Sequence, residues 1–283
     1  MKKLHFEDKL IHIFFIIFYG YNIFNFINIA YTLPNKNAYA FWNGVTHVNV
    51  NISYLVMLMP IIIGIIVSSI MEQKYKGTIL QNQITRIGYK KSIFLTIYEI
   101  SKKIIKPFLL YNLIIFIIGF VFLPHEIIKT DTYHPFATFT YDGVFSPYIY
   151  MLLKLLASII FIITIINIAM IVYKLLKNFA SSVAITFVGC NIYNFLIFII
   201  FGSMIGNIVS NKQINKYLYL MNFYEGYIVE NNIIASLFNS SLYLIITIII
   251  LIFAYKEEDW ILLKWKKNIY ILYIYTYFFH LLF

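Results

Sequence analysis

The stretch that decides the fold is IIIGIIVSSIMEQKYKGTILQNQITRIG, residues Ile61–Gly88. Its first part is uncharged and apolar as far as Met71, and its second is polar, with cations at Lys74, Lys76 and Arg86. A helix on the surface of a soluble core shows apolar residues on one face only, at i, i+3, i+4 and i+7. This run is apolar all round and extends back to Ile52. That matches the roughly 20 residues a helix needs to cross a hydrocarbon core about 30 Å thick. The segment therefore reads as a membrane span that leaves the bilayer through a basic surface loop.

The rest of the chain repeats the pattern. Of its 283 residues, 61% are hydrophobic and 12% charged, against about 45–50% and about 25% for soluble domains. This excludes a soluble enzyme and a disordered chain, and the single cysteine, Cys190, excludes a disulfide scaffold. Further long apolar runs occur at Leu10–Tyr31, Ile104–Leu123, Tyr148–Tyr173, Phe179–Phe201 and about Leu237–Tyr255. The expectation is an all-α integral membrane protein of six transmembrane helices. Residues 1–255 form the membrane domain and 256–283 a cytoplasmic or interfacial tail. Within that tail, Ile269–Phe283 is apolar but shorter than a comfortable span, so it forms an interfacial segment or a short seventh span. The first run exceeds the 7–15 residues of a signal-peptide core and is read as an uncleaved span. The abundance of Ile, Asn and Lys, with Arg only at Arg86, is the bias of an AT-rich bacterial genome.

Charge placement sets the orientation. Of the 22 Lys and Arg residues, only Lys36, Lys129, Lys154, Lys212 and Lys216 fall on the side away from the N-terminus. Cytoplasmic loops carry the excess of Lys and Arg, so both termini are expected in the cytoplasm of a cell-membrane protein. The +10 net charge follows this asymmetry and is not a nucleic-acid footprint.

The loop after the second span carries the local detail. Gly77 breaks the chain, and Thr78 with Gln81 three residues on predicts a capping box. A short helix then runs to Arg86, where a cation meets the negative end of the helix dipole. Gly88 suits a left-handed stop, and a second helix over Tyr89–Lys103 leads into the third span. Basic loops of many membrane proteins contain a short helix, so the pattern alone leaves that reading open. Set together, Glu72, Lys74, Gly77-Thr78 and Thr85-Arg86 resemble the permease subunits of ABC exporters of the type-2 class. Ile84 stands where that family usually has proline. The resemblance implies that Glu72, Gly77, Thr78, Gln81, Thr85 and Arg86 form a coupling helix that contacts a separate ABC ATPase subunit. A second permease subunit, the same chain or a related one, would complete the transporter. It also implies that ATP and Mg bind the partner, and that the outside loop Ser203–Asn232 forms a re-entrant helical pair. The chain has no GxxxxGK[ST] sequence to cradle phosphates itself. The cargo would be hydrophobic or peptide-like. The alternative is a non-transporting membrane protein, such as a bacteriocin-immunity or accessory sensor protein.

Other polar residues inside the spans are candidates for a polar intramembrane face. Asn22, Asn25 and Asn28 fall on one side of the first span, and Asn167, Asn191 and Asn194 are their candidate partners. Such amides favour helix packing or a polar cavity over lipid. Lys154 is expected to snorkel to the outer surface. Pro60 and Gly64 are candidates for a kink in the second span. His125, Glu126, Asp131, His134 and Asp142 follow no zinc-binding spacing.

Overall fold

The computed structural model describes residues 6–30, 37–46, 53–125, 146–199, 237–238 and 240–256, and all regular structure among them is helical. In chain order the helices are α1 (Phe6–Ala30), α2 (Ala38–Thr46), α3 (Ser53–Lys76), α4 (Ile79–Ile87), α5 (Tyr89–Phe122), α6 (Pro147–Leu176) and α7 (Phe179–Ile199). An eighth, α8, covers Ser240–Lys256.

Four of them, α1, α3, α5 and α6, are long and apolar enough to cross a membrane. Together with the composition, they make this a membrane protein. The fifth and sixth expected spans are helical where described. Their described apolar lengths, Phe179–Ile192 and Ser240–Lys256, are shorter. The third span differs from a separate surface helix followed by a membrane helix. Tyr89 to Phe122 is one helix of 34 residues that runs through Pro107.

The helix α3 lies at the centre, packed most extensively on α7 and α6. Ile63, Ile66, Val67 and Met71 of α3 and Phe161, Ile162, Ile165 and Ile166 of α6 are buried. Gly64 sits where α3 meets α7: a Cβ there would lie 3.5 Å from the Val183 Cα and 3.6 Å from the Thr186 side chain. Ser68, Ser182 and Thr186 are fully buried in the same helices. Small residues let membrane helices approach closely and gain dispersion contact, so Gly64 serves packing. The outward faces carry Ile13, Ile16, Ile17, Phe24, Leu113 and Ile117 exposed, the side chains that lipid tails solvate well.

Two clusters identify the opposite ends of the bundle. At one end, Glu7 at the start of α1 accepts hydrogen bonds from Ser69 Oγ (2.7 Å) and Gln73 Nε2 (3.1 Å) near the end of α3. Lys103 of α5 pairs with Asp8 at 3.7 Å, and Tyr75 packs on Tyr173 of α6. This end holds the lysine-rich segments. At the other end lies α2, a helix that the spans do not foreshadow. Its N-terminal Ala38 N–H donates to the Pro124 carbonyl beyond α5 (2.9 Å). Tyr39 meets the rings of Phe120 and Tyr148 edge-on at 5.1 and 5.6 Å. Tyr39, Phe41, Trp42 and Val45 are buried, so α2 caps the bundle. Gly119 permits this approach, since a Cβ there would stand 2.8 Å from the Phe41 ring.

Candidate functional site at the α3–α4–α5 junction

Three features place α4. The chain leaves α3 in a tight turn, with Gly77 N–H donating to the Gln73 carbonyl (2.9 Å) and Thr78 N–H to the Tyr75 carbonyl (3.2 Å). Next, α4 buries Leu80 and Ile84, one turn apart, at 1% and 2% exposure. Burying each such side chain contributes about 1.5–3 kcal/mol. Finally, Gly88 both ends α4 and begins α5. Its N–H donates to the Ile84 carbonyl (2.9 Å), and its own carbonyl accepts from Ser92 N–H (3.1 Å). Gly88 has φ 81° and ψ 157°, a region open essentially to glycine alone. Glycine is as the sequence predicts, but its ψ lies outside the left-handed helical well. The extended ψ turns the chain sharply from α4 into α5.

The capping box does not form. Thr78 is the N-cap residue of α4, yet it adopts φ 54° and ψ 12° and its side chain caps nothing. Its hydroxyl donates instead to the Gly77 carbonyl at 2.7 Å. A capping side chain needs an extended backbone to reach back to the N3 amide. The tight turn at Gly77 puts Thr78 in the left-handed region, and Gln81 is left exposed on the outer face.

A buried lysine secures the junction from below. Lys74, 7% exposed, reaches from the last turn of α3 to α5. Its Nζ donates to Thr96 Oγ1 (3.0 Å) and to Glu99 Oε2 (2.5 Å). The side-chain exposures of Lys74 and Glu99 are 9% and 45%, so the ammonium is desolvated and the carboxylate half-hydrated. Glu72, in the resemblance motif, pairs with Lys76 one turn on at 2.6 Å. That pair spans one helical turn at the surface and is worth little.

The outer face of α4 carries Ile79, Gln81, Asn82, Thr85, Arg86 and Ile87, all exposed. Ile79 and Ile87 are 47% and 42% exposed at its two ends. Arg86 lies in the last turn, where the helix dipole favours a cation. The short helix is thus amphipathic in both senses: an apolar pair fastens it, and a mixed apolar and cationic face is turned away from the bundle.

Among the described residues, Asn22, Asn167 and Asn191 each make a separate hydrogen bond. Asn22 Nδ2 donates to the Val45 carbonyl (2.8 Å) and ties α1 to α2. Asn167 Nδ2 donates to Thr247 Oγ1 of α8 (3.3 Å), and Asn191 Nδ2 to the Phe187 carbonyl of its own helix (2.8 Å). Asn25 is half-buried, and the side chains of Asn28 and Asn194 lie outside the described residues. So do the Glu126–Asp142 loop, the Ser203–Asn232 segment and the tail from residue 257. Lys154 does not reach the surface. It is 9% exposed, with Nζ 5.0 Å from the centre of the Tyr150 ring one turn earlier. The side chain points toward the N-terminal end of α6 and is enclosed by protein there. His12 hydrogen-bonds the Tyr111 hydroxyl at 3.3 Å.

Three polar groups went unnoticed in the sequence: Glu7, Asn112 and the Thr96–Glu99 pair. Asn112 Nδ2 donates to the Tyr19 hydroxyl (2.6 Å), joining α5 to α1. An amide in the middle of an apolar run was the signal for it, the same one that marked Asn22. No known protein family, curated protein or solved structure matches the chain, so its functional reading rests on the geometry of this junction.

Proposed function

We propose that the chain is the membrane subunit of an ATP-driven ABC exporter, and that α4 is the helix on which a separate ATPase subunit docks. The observation that carries this is the exposed face of α4, fastened to its neighbours by buried Leu80 and Ile84 beside an α3–α5 connection tied by the Lys74–Glu99 pair. A docking helix that transmits force needs both properties, a partner-facing side and a stiff connection to the spans. On this reading six helices cross the cytoplasmic membrane, with both ends inside, and the lysine-rich end faces the cytoplasm. ATP and Mg belong to the partner, a second permease subunit completes the pathway, and a hydrophobic or peptide-like molecule is the cargo.

The test co-expresses the full chain with candidate ABC ATPase subunits from the same genome. Arg86→Glu reverses the charge on the outer face of α4 without touching its buried side. It should reach the membrane at normal levels and recover several-fold less ATPase. Lys267→Glu, in a basic segment with no docking role, should recover the wild-type amount. Equal recovery by the two variants would reduce α4 to a connecting loop.

A further inference from the structure

A second site lies at the lysine-rich end, separate from the outer face of α4. Between α1 and α5 runs a cleft of about 820 Å³, walled by Ile11 and His12 on one side and by one long face of α5 on the other. That face changes chemistry abruptly. Tyr98, Lys102 and Lys106 follow one another at one-turn spacing, and Leu110 and Leu113 continue the same stripe. From Lys106 to Leu110 is a single turn, about 6 Å of rise. Tyr98, Leu110 and Leu113 are 62%, 48% and 55% exposed. The cleft is therefore cationic at its membrane-surface end and aliphatic toward the hydrocarbon.

The charges there are not spent within the protein. Two carboxylates also line the cleft, but each already has a cation: Asp8 pairs with Lys103 and Glu99 with Lys74. Among the described residues, Lys102 and Lys106 have no carboxylate in ion-pair reach, and Lys102 Nζ lies 6.0 Å from the centre of the Tyr98 ring. Two uncompensated ammonium groups, one turn apart, stand directly below a leucine wall.

We propose that this cleft binds an anionic phospholipid, with the headgroup phosphate on Lys102 and Lys106 and an acyl chain along Leu110 and Leu113. The order of charge and hydrocarbon along the stripe matches that of a phospholipid crossing its own headgroup boundary. Basic pockets between membrane helices at the lysine-rich surface recognise such headgroups. A free anion would use the lysines and leave the leucine wall bare, which is why the occupant is a lipid. This assignment does not depend on an ATPase partner, and its test uses the chain alone.

The full-length protein is purified in detergent, stripped of lipid, and titrated with phosphatidylglycerol or phosphatidylcholine while bound lipid is counted by native mass spectrometry. Wild-type protein should retain phosphatidylglycerol in clear preference, and inorganic phosphate at equal concentration should not displace it. Lys102→Gln with Lys106→Gln should weaken phosphatidylglycerol binding about thirtyfold, with phosphatidylcholine unchanged. Lys90→Gln with Lys91→Gln, exposed lysines of the same helix outside the cleft, should leave the preference intact. Leu110→Ala with Leu113→Ala should weaken both lipids. If the double lysine variant does not fold, Lys106→Gln alone should still weaken binding about fivefold. The proposal fails if wild-type protein shows no lipid preference, if the two lysine pairs behave alike, or if inorganic phosphate displaces the lipid.

Discussion

Removing the two partners of the Lys74–Glu99 pair should have unequal effects. Lys74 is 9% exposed in its side chain and Glu99 45%. Glu99→Gln leaves a desolvated ammonium with only the Thr96 hydroxyl and a weaker neutral acceptor. Breaking a fully buried pair by removing one partner costs about 3–5 kcal/mol. Half-exposure of Glu99 discounts that, because surface pairs are worth about 0–1 kcal/mol. An intermediate cost of about 2 kcal/mol is expected for Glu99→Gln. Lys74→Met takes the buried charge away, keeps most of the volume, and lets the half-exposed carboxylate rehydrate. It should cost about 1 kcal/mol or less, chiefly through the Thr96 hydroxyl that loses a partner. The double variant should be no less stable than Glu99→Gln alone, since the orphaned charge is gone. The assay is denaturant unfolding of the full-length protein in a defined detergent, with all three variants in one double-mutant cycle. A larger cost for Lys74→Met than for Glu99→Gln, or strictly additive losses, would show that Lys74 is not a buried charge held by Glu99.

Other substitutions probe the backbone that carries α4 and α2. Thr78 sits at φ 54° without capping, so Thr78→Gly should stabilise the turn by about 1 kcal/mol in the same unfolding assay; a loss would mean that the hydroxyl does cap in solution. Gly88→Ala forces a side chain into the φ 81°, ψ 157° conformation and should cost about 1–3 kcal/mol; hydrogen exchange should show faster opening confined to α4 and the first turns of α5. Gly119→Ala places a methyl 2.8 Å from the Phe41 ring, an overpacking cost of about 1–3 kcal/mol that Phe41→Leu should partly relieve.

How much of this was legible follows from the physics of each signal. Long apolar runs survive any detail of packing, so α1, α3, α5 and α6 appear almost where hydropathy puts them. The break at Gly77 and the stop at Gly88 were also readable, because glycine marks backbone that other residues avoid. The capping box was not. Its residues are present, but whether Thr78 caps depends on the dihedral imposed by the turn before it, which the spacing does not encode. Helix α2 escaped because its nine residues are too few for a periodic signal, and its stability comes from tertiary contacts with Phe120, Tyr148 and Pro124. The Asn residues stand out in apolar runs, but the partners of the described ones are a carbonyl of α2, a threonine of α8 and, for Asn191, a carbonyl of its own helix. Which amide meets which group is decided by helix rotation, and a single sequence does not fix that.

The central claim, that α4 presents its outer face to an ATPase, is tested most directly by cross-linking in native membranes. A photoreactive side chain is placed singly at Ile87, on the exposed face, and at Ile84, on the buried face, in a chain co-expressed with a candidate ABC ATPase from the same genome. The account predicts an adduct between chain and ATPase from position 87, competed away by unlabelled full-length chain, and none from position 84. Adducts from neither position, or from Ile84 as strongly as from Ile87, would contradict it.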